Sequence, residues 1–161
     1  GPKKARHRAR PTPADALGRR VARPARGPEP GAGFRFAAEA QAKAGHPEGG
    51  LATLAEALAF VEDTDERHWE AELHRLRAEL LHMQGVEAGA EVSLHTAIDV
   101  ARRQSAKSWE LRATTSLARL WRDQGRREEA RQVLADIYGW FTEGFDTANL
   151  KEAKALLEEL S

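Results

Sequence analysis

Residues 78–94, with the sequence AELLHMQGVEAGAEVSL, decide the fold, because the chain carries two further versions of this stretch. The versions are AEAQAKAGHPEGGLATL at residues 38–54 and ARLWRDQGRREEARQVL at residues 118–134. All three begin with Ala, carry Gly at the eighth position and a small residue at the thirteenth, and end in Leu. The glycines are Gly45, Gly85 and Gly125, so the interval is 40 residues. Self-similarity at such an interval predicts stacked helical units.

The shared positions have the properties of two helices joined by a short turn. Ala78, in the middle version, lets a partner helix cross closely, and Gly85 can end the first helix in a left-handed conformation at little cost. In the second helix, Leu94, Ala97 and Ile98 stand at helical spacing. One hairpin cannot bury its own apolar face, so we predict an all-α fold, an α-solenoid of three helix-turn-helix repeats of 40 residues plus a C-terminal capping helix. The expected helices cover residues 33–44, 48–62, 66–84, 88–104, 107–124, 127–141 and 149–160.

Composition supports a helical protein and excludes several classes. The chain is rich in Ala, Leu, Glu and Arg and poor in the β-branched and aromatic residues of sheets. It has no Cys, which excludes disulfides and thiolate metal sites. No apolar run approaches the roughly 18 to 20 residues of a membrane span, and no secretory leader is visible. We therefore expect a cytoplasmic protein that makes no contact with a membrane.

Residues 1–30 differ from the remainder in charge and in proline content. They carry nine Lys and Arg against two acids and six of the seven Pro, so their net charge is +7, whereas residues 31–161 carry −7. Gly1-Pro2 resembles a tag remnant, and only Ala14 to Ala22 has room for about two helical turns between prolines. We predict a basic arm or linker over residues 1–30 and a repeat domain over residues 31–161. The arm either binds nucleic acid or another acidic surface, although it has no aromatic residue for base stacking, or is a solvated linker able to fold back on the acidic remainder.

The repeat resembles the tetratricopeptide family, whose pattern places small, aromatic and Gly positions along two helices. The matching residues are Ala78, Leu81, Gly85, Ala90, Leu94 and Ala97 in the second unit, and Ala118, Trp121, Gly125, Ala130 and Leu134 in the third. The chain departs from the family in its interval of 40 residues rather than about 34 and in lacking Pro between repeats. Both departures imply helices about a turn longer.

The C-terminal half has a narrower resemblance. Residues 108–121 (SWELRATTSLARLW) and 138–147 (YGWFTEGFDT) are similar to the C-terminal repeat region of large bacterial signalling ATPases, which also carry a nucleotide cyclase or DNA-binding domain. The resemblance spans roughly residues 34–160 and implies a sensory or scaffolding module. It does not imply catalysis here, because the sequence has neither a Gly-x-x-x-x-Gly-Lys-Ser/Thr phosphate loop nor a paired-Asp cyclase segment.

The resemblance also implies where a partner binds, since the concave groove of tetratricopeptide proteins is lined by the first helix of each repeat. Carried over by offset, the partner-binding residues are Arg35, Glu39, Arg75, Glu79, His82, Arg112, Thr115, Arg119 and Arg122, with Lys43, Glu72, Met83 and Asp123 on the same face. The family's Lys and Asn clamp for a C-terminal carboxylate is not in register, which disfavours a chaperone-tail receptor. Arg75, Arg119 and Arg122 are expected either to hold acidic side chains of a peptide or to be ordinary surface arginines.

The aromatic residues are assigned mainly to packing. Trp69 and Trp109, which are 40 residues apart, are predicted to pack between successive first helices, with contact to a ligand as the alternative. Trp121 is predicted in the core. Trp140, Phe141 and Phe145 are expected to pack the last unit against the capping helix. For that helix, Asn149 is the predicted N-cap and Glu152 completes a capping box.

No constellation of residues points to a metal, a cofactor or catalysis. His68, His74 and His82 lack the spacing of metal ligands and are interpreted as solvated or groove-lining. The Glu-rich stretch between Glu66 and Glu91 has no accompanying nucleophile and is interpreted as a solvated face. We therefore expect no cofactor and no enzyme activity.

Four functions are compatible with these features of the sequence. The favoured one is a module that binds a protein or peptide through its concave face, in bacterial signalling or regulation. The second is a module that self-associates through the open ends of the repeat stack, and the third is a nucleic-acid-linked module that uses residues 1–30. An enzyme is the weakest candidate, and the identity of the partner is not predicted.

Overall fold

The computed structural model describes residues 30–161, which form seven α-helices and no strand. The helices are α1 (Pro30–Lys43), α2 (Pro47–Thr64), α3 (Glu70–Met83), α4 (Glu87–Arg103), α5 (Lys107–Asp123), α6 (Arg127–Tyr138) and α7 (Ala148–Leu160). None of these seven helices combines the length and the hydropathy of a helix that spans a bilayer. The prediction of an all-α fold is confirmed, whereas the predicted basic arm and its short helix at Ala14 to Ala22 lie outside the described residues.

The turns that follow α1, α3 and α5 recur at the predicted interval of 40 residues. Helices α1, α3 and α5 end at residues 43, 83 and 123, and their successors begin at residues 47, 87 and 127. Gly45, Gly85 and Gly125 lie in these turns with φ of 78°, 79° and 84°, a region that side chains with a Cβ rarely adopt. The predicted role of the three glycines is confirmed. We refer to α1–α2, α3–α4 and α5–α6 as the first, second and third helix pairs.

The helices pack in two different relations. Each helix contacts the next one along the chain, and α1, α3, α5 and α7 also contact one another in sequence, forming a row. No corresponding contact joins α2, α4 and α6 within residues 30–161. Helix α7 packs on both α5 and α6. The first helices therefore form one continuous wall, and the second helices lie outside it.

The core contains the positions that the repeat predicted. Ala38, Ala78 and Ala118 are buried where the wall helices cross their partners, as are Leu54, Leu94 and Leu134 on the second helices. One apolar cluster joins the first pair to α3, and a larger one runs from α3 to α7. On α7, the buried face consists of Leu150, Ala153, Leu156 and Leu160, as expected for a helix that covers the end of the stack.

Three predicted helix boundaries at the ends of pairs are wrong. Helix α1 begins at Pro30 rather than near Gly33, because Pro is favoured in the first helical turn, where its missing N–H costs nothing. Helix α3 begins at Glu70 rather than residue 66, because Asp65 is left-handed, with φ of 60°, and the chain between it and α3 is non-helical, with a turn at residues 68–69. Helix α6 ends at Tyr138 rather than residue 141, because the backbone N–H groups of residues 140 and 141 bond three residues back instead of four.

The predicted capping box is also wrong. Thr147, in extended conformation, precedes α7, and Asn149 lies inside the helix. The side chains of Asn149 and Glu152 are instead directed at α5, where they accept hydrogen bonds from Arg112 and Arg119.

The aromatic residues after α6 differ from the prediction. Phe141 is half-buried against the larger cluster, whereas Trp140 and Phe145 are 57% and 46% exposed. Trp140 contacts Phe141 edge-on, with ring centroids 5.1 Å apart, and the ammonium of Lys107 lies 5.4 Å from the Trp140 ring. The expectation that all three rings pack against α7 is therefore wrong for Trp140.

Candidate partner-binding groove

A charged cavity of about 220 Å³ lies along the wall formed by α1, α3, α5 and α7. Its lining is Glu39 and Lys43 from α1, Arg75 and Glu79 from α3, Arg112, Thr115, Ser116 and Arg119 from α5, and Asn149 and Glu152 from α7. Four cations and three carboxylates alternate here, so the cavity has strong local fields and little net charge. Such a surface selects partners by the pattern of their charges more than by their total charge.

A second cavity of about 220 Å³ continues toward the ends of α3 and α5. Ala78, Ala90, Leu94 and Leu120 contribute apolar surface, and Glu79, His82, Ser116, Arg119, Arg122 and Asp123 supply polar groups. Because Glu79, Ser116 and Arg119 line both cavities, we treat the two together as one groove. The apolar cavity is the place in this groove where an apolar side chain of a partner would leave water.

Beneath the charged cavity lies a buried ionic network centred on Glu72, which is 1% exposed. Arg75 donates from Nε and Nη2 to the two Glu72 carboxylate oxygens at 2.9 and 2.8 Å. Arg112 donates from Nε to the same oxygens at 3.2 and 3.1 Å. Glu72 and Arg112 are 40 residues apart, so the same position on two successive wall helices carries opposite charges that pair. The network therefore ties α3 to α5 under the groove.

Arg75 does not offer the free guanidinium that was expected to hold a peptide carboxylate. Its Nη1 also donates to Glu79 and, at 3.4 Å, to the Ser116 hydroxyl. Burial disfavours the charged form, but the hydrogen bonds and charges of Glu72 and Glu79 outweigh it and raise the pKa of Arg75 above its usual value. Arg75 is thus a fixed cation in the groove floor. Its hydrogen bonds are already used within the chain, so it does not fit the expected role of binding a peptide carboxylate directly.

Arg112, Arg119 and Arg122 are held from the side of α7. Arg112 Nη1 donates to Asn149 Oδ1 at 3.1 Å. Arg119 Nη2 donates to Glu152 at 3.3 Å, and Arg122 Nη1 donates to both oxygens of Glu159 at 3.1 and 3.2 Å. Helix α7 therefore covers the stack and also supplies one edge of the groove. Of the three arginines, Arg119 is the most exposed and lines both cavities.

The remaining predicted residues divide between the groove and its surroundings. Glu39 lines the charged cavity, but Arg35 lines neither cavity. The Arg35 guanidinium carbon lies 4.7 Å from the ring centres of Phe36 and Trp69, and Nη1 donates to Glu39 at 3.4 Å.

The buried Thr115 hydroxyl donates to the Leu111 carbonyl at 2.8 Å. His82 lines the apolar cavity, with Nδ1 2.8 Å from a Glu87 oxygen.

The two tryptophans that repeat with the interval contact each other. The ring centroids of Trp69 and Trp109 are 5.5 Å apart, and His68 packs edge-on against Trp69 at 5.0 Å. The packing prediction for this pair is confirmed, although Trp69 stands just before α3 rather than inside it. Trp121 is buried as predicted, with Arg126 4.4 Å above its ring.

The three histidines near α3 do not converge on a common point. His68 contacts Trp69, His74 lies 4.0 Å from Glu70, and His82 contacts Glu87. In the described part of the chain, no three side chains of metal-binding type are grouped closely enough to hold an ion.

Stability should depend on pH through His74, which is largely buried. Burial lowers its pKa, Glu70 raises it by a smaller amount, and Arg77 and Arg103 lower it further. Below the pKa of the unfolded chain, the unfolded state then binds a proton that the folded state does not, so stability falls as pH drops from about 7 toward 5. Urea denaturation should show that His74→Gln flattens this dependence. The exposed His46→Gln is the control, and an equal change from both substitutions would contradict the assignment.

Three polar groove residues were not predicted from the sequence. They are Ser116, Asn149 and Glu152. Extending the 40-residue offset by one step would have found Glu152, which follows the predicted groove residue Arg112 at that distance. It would not have found Ser116 and Asn149, because they follow Leu76 and Trp109, which were not predicted in the groove. The offset thus continues into α7, for which only a capping role was predicted.

Neither the protein-family models nor the curated proteins with which the chain was compared give a match. The function is accordingly inferred from the groove itself.

Proposed function

We propose that this chain is a tetratricopeptide-like α-solenoid, in a cytoplasmic bacterial signalling or regulatory protein, that binds a peptide segment of a partner protein without catalysing a reaction. The turns at 40-residue intervals and the row of first helices support the repeat assignment. The similarity of residues 108–121 and 138–147 to the repeats of bacterial signalling ATPases supports the cellular role.

The observation that carries the proposal is the pair of joined cavities on the wall of first helices. The arginines that line them are held by the Glu72 network and by α7, so these side chains have little conformational entropy left to lose on binding. The apolar cavity suits one apolar side chain of the peptide. Arg119 has five N–H donors and donates one hydrogen bond, to Glu152. Its guanidinium therefore suits a peptide carboxylate close to that apolar side chain.

The hydroxyl groups in the groove favour binding over catalysis. Thr115 donates to a backbone carbonyl, and Ser116 accepts from Arg75 rather than facing a base. An activated Ser or Thr nucleophile requires an adjacent proton acceptor. Each of the groove carboxylates of Glu79 and Glu152 accepts a hydrogen bond from an arginine, which is an arrangement that holds charge in place.

A displayed library of random peptides tests the proposal. Peptides selected on the whole chain should contain an apolar residue close to an acidic one and should shift NMR signals of α3 and α5 at the groove. Arg119→Glu should weaken their binding at least tenfold, because it replaces attraction by repulsion at the shared centre of both cavities. Arg131→Glu, on the exposed face of α6, should leave affinity unchanged. If Arg119→Glu left the affinity of the selected peptides unchanged, the groove would not be their binding site.

Self-association is the second candidate, and the exposed Trp140 and Phe145 are the observation that favours it. Trp140 contacts Phe141 and Phe145 contacts Tyr138, so both exposed rings belong to the segment 138–145. Exposed apolar patches are typical of interaction sites. Light scattering that shows a concentration-dependent dimer, lost on Trp140→Ser, would support this candidate, and a monomer at all concentrations would exclude it. Nucleic-acid binding through residues 1–30 stays a prediction, because those residues, except Pro30, lie outside the described part.

A further inference from the structure

The repeat changes from apolar to polar at one position in the middle of the stack. We call the contact between a helix pair and the next wall helix a junction: the first pair with α3, the second with α5 and the third with α7. Three leucines belong to the buried core of the first and third junctions, namely Leu54, Leu76 and Leu80 in the first and Leu134, Leu156 and Leu160 in the third. The second junction has Leu94 and Leu120 at the equivalent positions, but Ser116 where the others have Leu76 and Leu156.

The apolar cavity of the groove lies at this position. Ser116 lines it together with both leucines of the second junction, and its volume is about 220 Å³. The first junction is closely packed at the equivalent place, since a Cβ added at Gly50 would lie 2.7 Å from Leu80 Cδ1. In the second junction, Ala90 stands in the place of Gly50 and carries that Cβ, yet space remains beside it. The cavity therefore results from the small Ser116 side chain, which stands where the other junctions have an isobutyl group.

The walls of this cavity are core residues. Ala78, Ala90, Leu94 and Leu120 are between 1% and 5% exposed and belong to the larger apolar cluster. Apolar walls offer water few hydrogen bonds, and apolar cavities of about 150 Å³ in protein cores take up molecules of the size of benzene. The side chain of a leucine is smaller than benzene, so it fits this space.

One cation at the rim of the cavity has hydrogen-bond donors to spare. The other charged groups at the rim already have partners, which are Arg75 for Glu79, Glu87 for His82, and Asp123 and Glu159 for Arg122. Within residues 30–161, Arg119 donates one hydrogen bond, to Glu152 at 3.3 Å, and its side chain is 41% exposed. A carboxylate beside the cavity can therefore accept hydrogen bonds from the remaining N–H groups of Arg119.

We propose that the apolar cavity holds a leucine side chain of the partner peptide, in the place that Leu76 and Leu156 fill from within the chain, while Arg119 binds an adjacent carboxylate of that peptide. Ser116 is then the residue that determines specificity, because its small side chain leaves the space open. The inference rests on the proposed peptide-binding function and adds to it the identity of the anchoring side chain.

A separate partner suits the cavity better than a second copy of the chain. The exposed large apolar side chains in the described part of the chain are those of Phe36, Met83, Val86, Val92, Trp140 and Phe145. None of them is a leucine, and every leucine from residue 33 onward is buried or partly buried. A second copy would have to disrupt its own core in order to supply one.

Closing the cavity from within tests the proposal. Ser116→Leu supplies the leucine that the other junctions have, so it should weaken the binding of peptides selected on the unchanged chain about tenfold or more, as expected for one leucine that is no longer buried. Its melting temperature should equal or exceed that of the unchanged chain, because the new side chain fills space. Ser108→Leu, at an exposed position of α5, is the control and should leave affinity unchanged. Full affinity in Ser116→Leu would overturn the proposal.

Ser116→Ala separates the effect of the space from that of the hydroxyl. It removes the hydroxyl that accepts a hydrogen bond from Arg75 at 3.4 Å, as Ser116→Leu does, but it fills no space. It should therefore weaken binding much less than Ser116→Leu. If the two substitutions weakened binding equally, the hydroxyl rather than the space would determine affinity, and the proposal would be wrong.

Substitution in the peptide tests the same point without altering the protein. Replacing the leucine of a selected peptide by Ala should weaken its binding to the unchanged chain about tenfold, and its binding to Ser116→Leu much less, because the two changes remove one contact. Peptides that depend on Arg119 but contain no leucine, or lose no affinity when it is replaced, would leave the proposed function intact and contradict this inference.

Small probes give a measurement that needs no selected peptide. N-acetyl-leucine combines an isobutyl group with a carboxylate, whereas N-acetyl-alanine lacks the isobutyl group. In an NMR titration, N-acetyl-leucine should shift the amide signals of Ala90 and Leu94, and both N-acetyl-alanine and the Ser116→Leu variant should abolish the effect. If N-acetyl-leucine shifted neither signal, the cavity would not be a leucine site. If it shifted both while the library yielded no peptide, the cavity assignment would stand and the peptide-binding function would fail.

Discussion

Replacing Glu72 by Ala should destabilise the protein by about 3–5 kcal/mol, the usual cost of removing one member of a buried ion pair. The carboxylate is 1% exposed and receives four hydrogen bonds from Arg75 and Arg112. Its removal leaves the buried Arg75 guanidinium with Glu79 as its remaining carboxylate partner. Because the network links α3 to α5, urea denaturation should show a lower midpoint for the whole transition, with little change in its slope.

Glu128→Ala is the matched control for this measurement. Glu128 also accepts from an arginine three residues later, Arg131, but both side chains are at the surface. Exposed ion pairs contribute little to stability, so we expect a minor change. If the two substitutions shifted the midpoint equally, the buried network would not be a principal link between α3 and α5.

Leu117→Ala should cost about 2–5 kcal/mol, the range measured for leucines in closely packed cores. Leu117 has no exposed surface and belongs to the cluster that runs from α3 to α7. Its removal leaves a cavity bordered by several helices, and their mutual packing keeps the cavity from closing. Thermal unfolding followed by circular dichroism should show a clear fall in melting temperature.

Val92→Ala serves as the comparison for Leu117→Ala. Val92 is among the most exposed apolar residues of the described chain and is absent from its core clusters. Its truncation should change stability by less than about 0.5 kcal/mol. A loss as large as that from Leu117→Ala would mean that the second helices bury a surface on their outer side.

The parts of the fold that follow from backbone requirements could be predicted from the sequence. A left-handed turn favours Gly, and a close crossing favours Ala, so Gly85 and Ala78 are sufficient to locate a turn and a crossing along the chain. The apolar spacing of Leu94 and Ala97 locates the second helix in the same way. Each of these requirements involves a few neighbouring residues along the chain, which is why local sequence was sufficient.

The partners of charged side chains could not be predicted in that way. Arg75 looked like a groove ligand because its position on the helix is correct, but its guanidinium is occupied by Glu72, Glu79 and Ser116. Asn149 looked like a cap, but it binds Arg112, which is 37 residues away. Long flexible side chains choose among several partners within reach, and that choice depends on the packing of whole helices. Several residues that line the two cavities were thus named from the resemblance, but the assignment of free and occupied arginines was not predicted.

The pairing of Glu72 with Arg112 has a consequence for how this protein can change in length. By backbone geometry alone, the excision of residues 70–109 would rejoin the chain in register, because the turns inside the helix pairs recur every 40 residues. The excision would also remove the carboxylate that holds the Arg112 guanidinium, together with Arg75. The second and third helix pairs are therefore complementary in charge at this position, and neither could replace the other without leaving a charged side chain without its present partner.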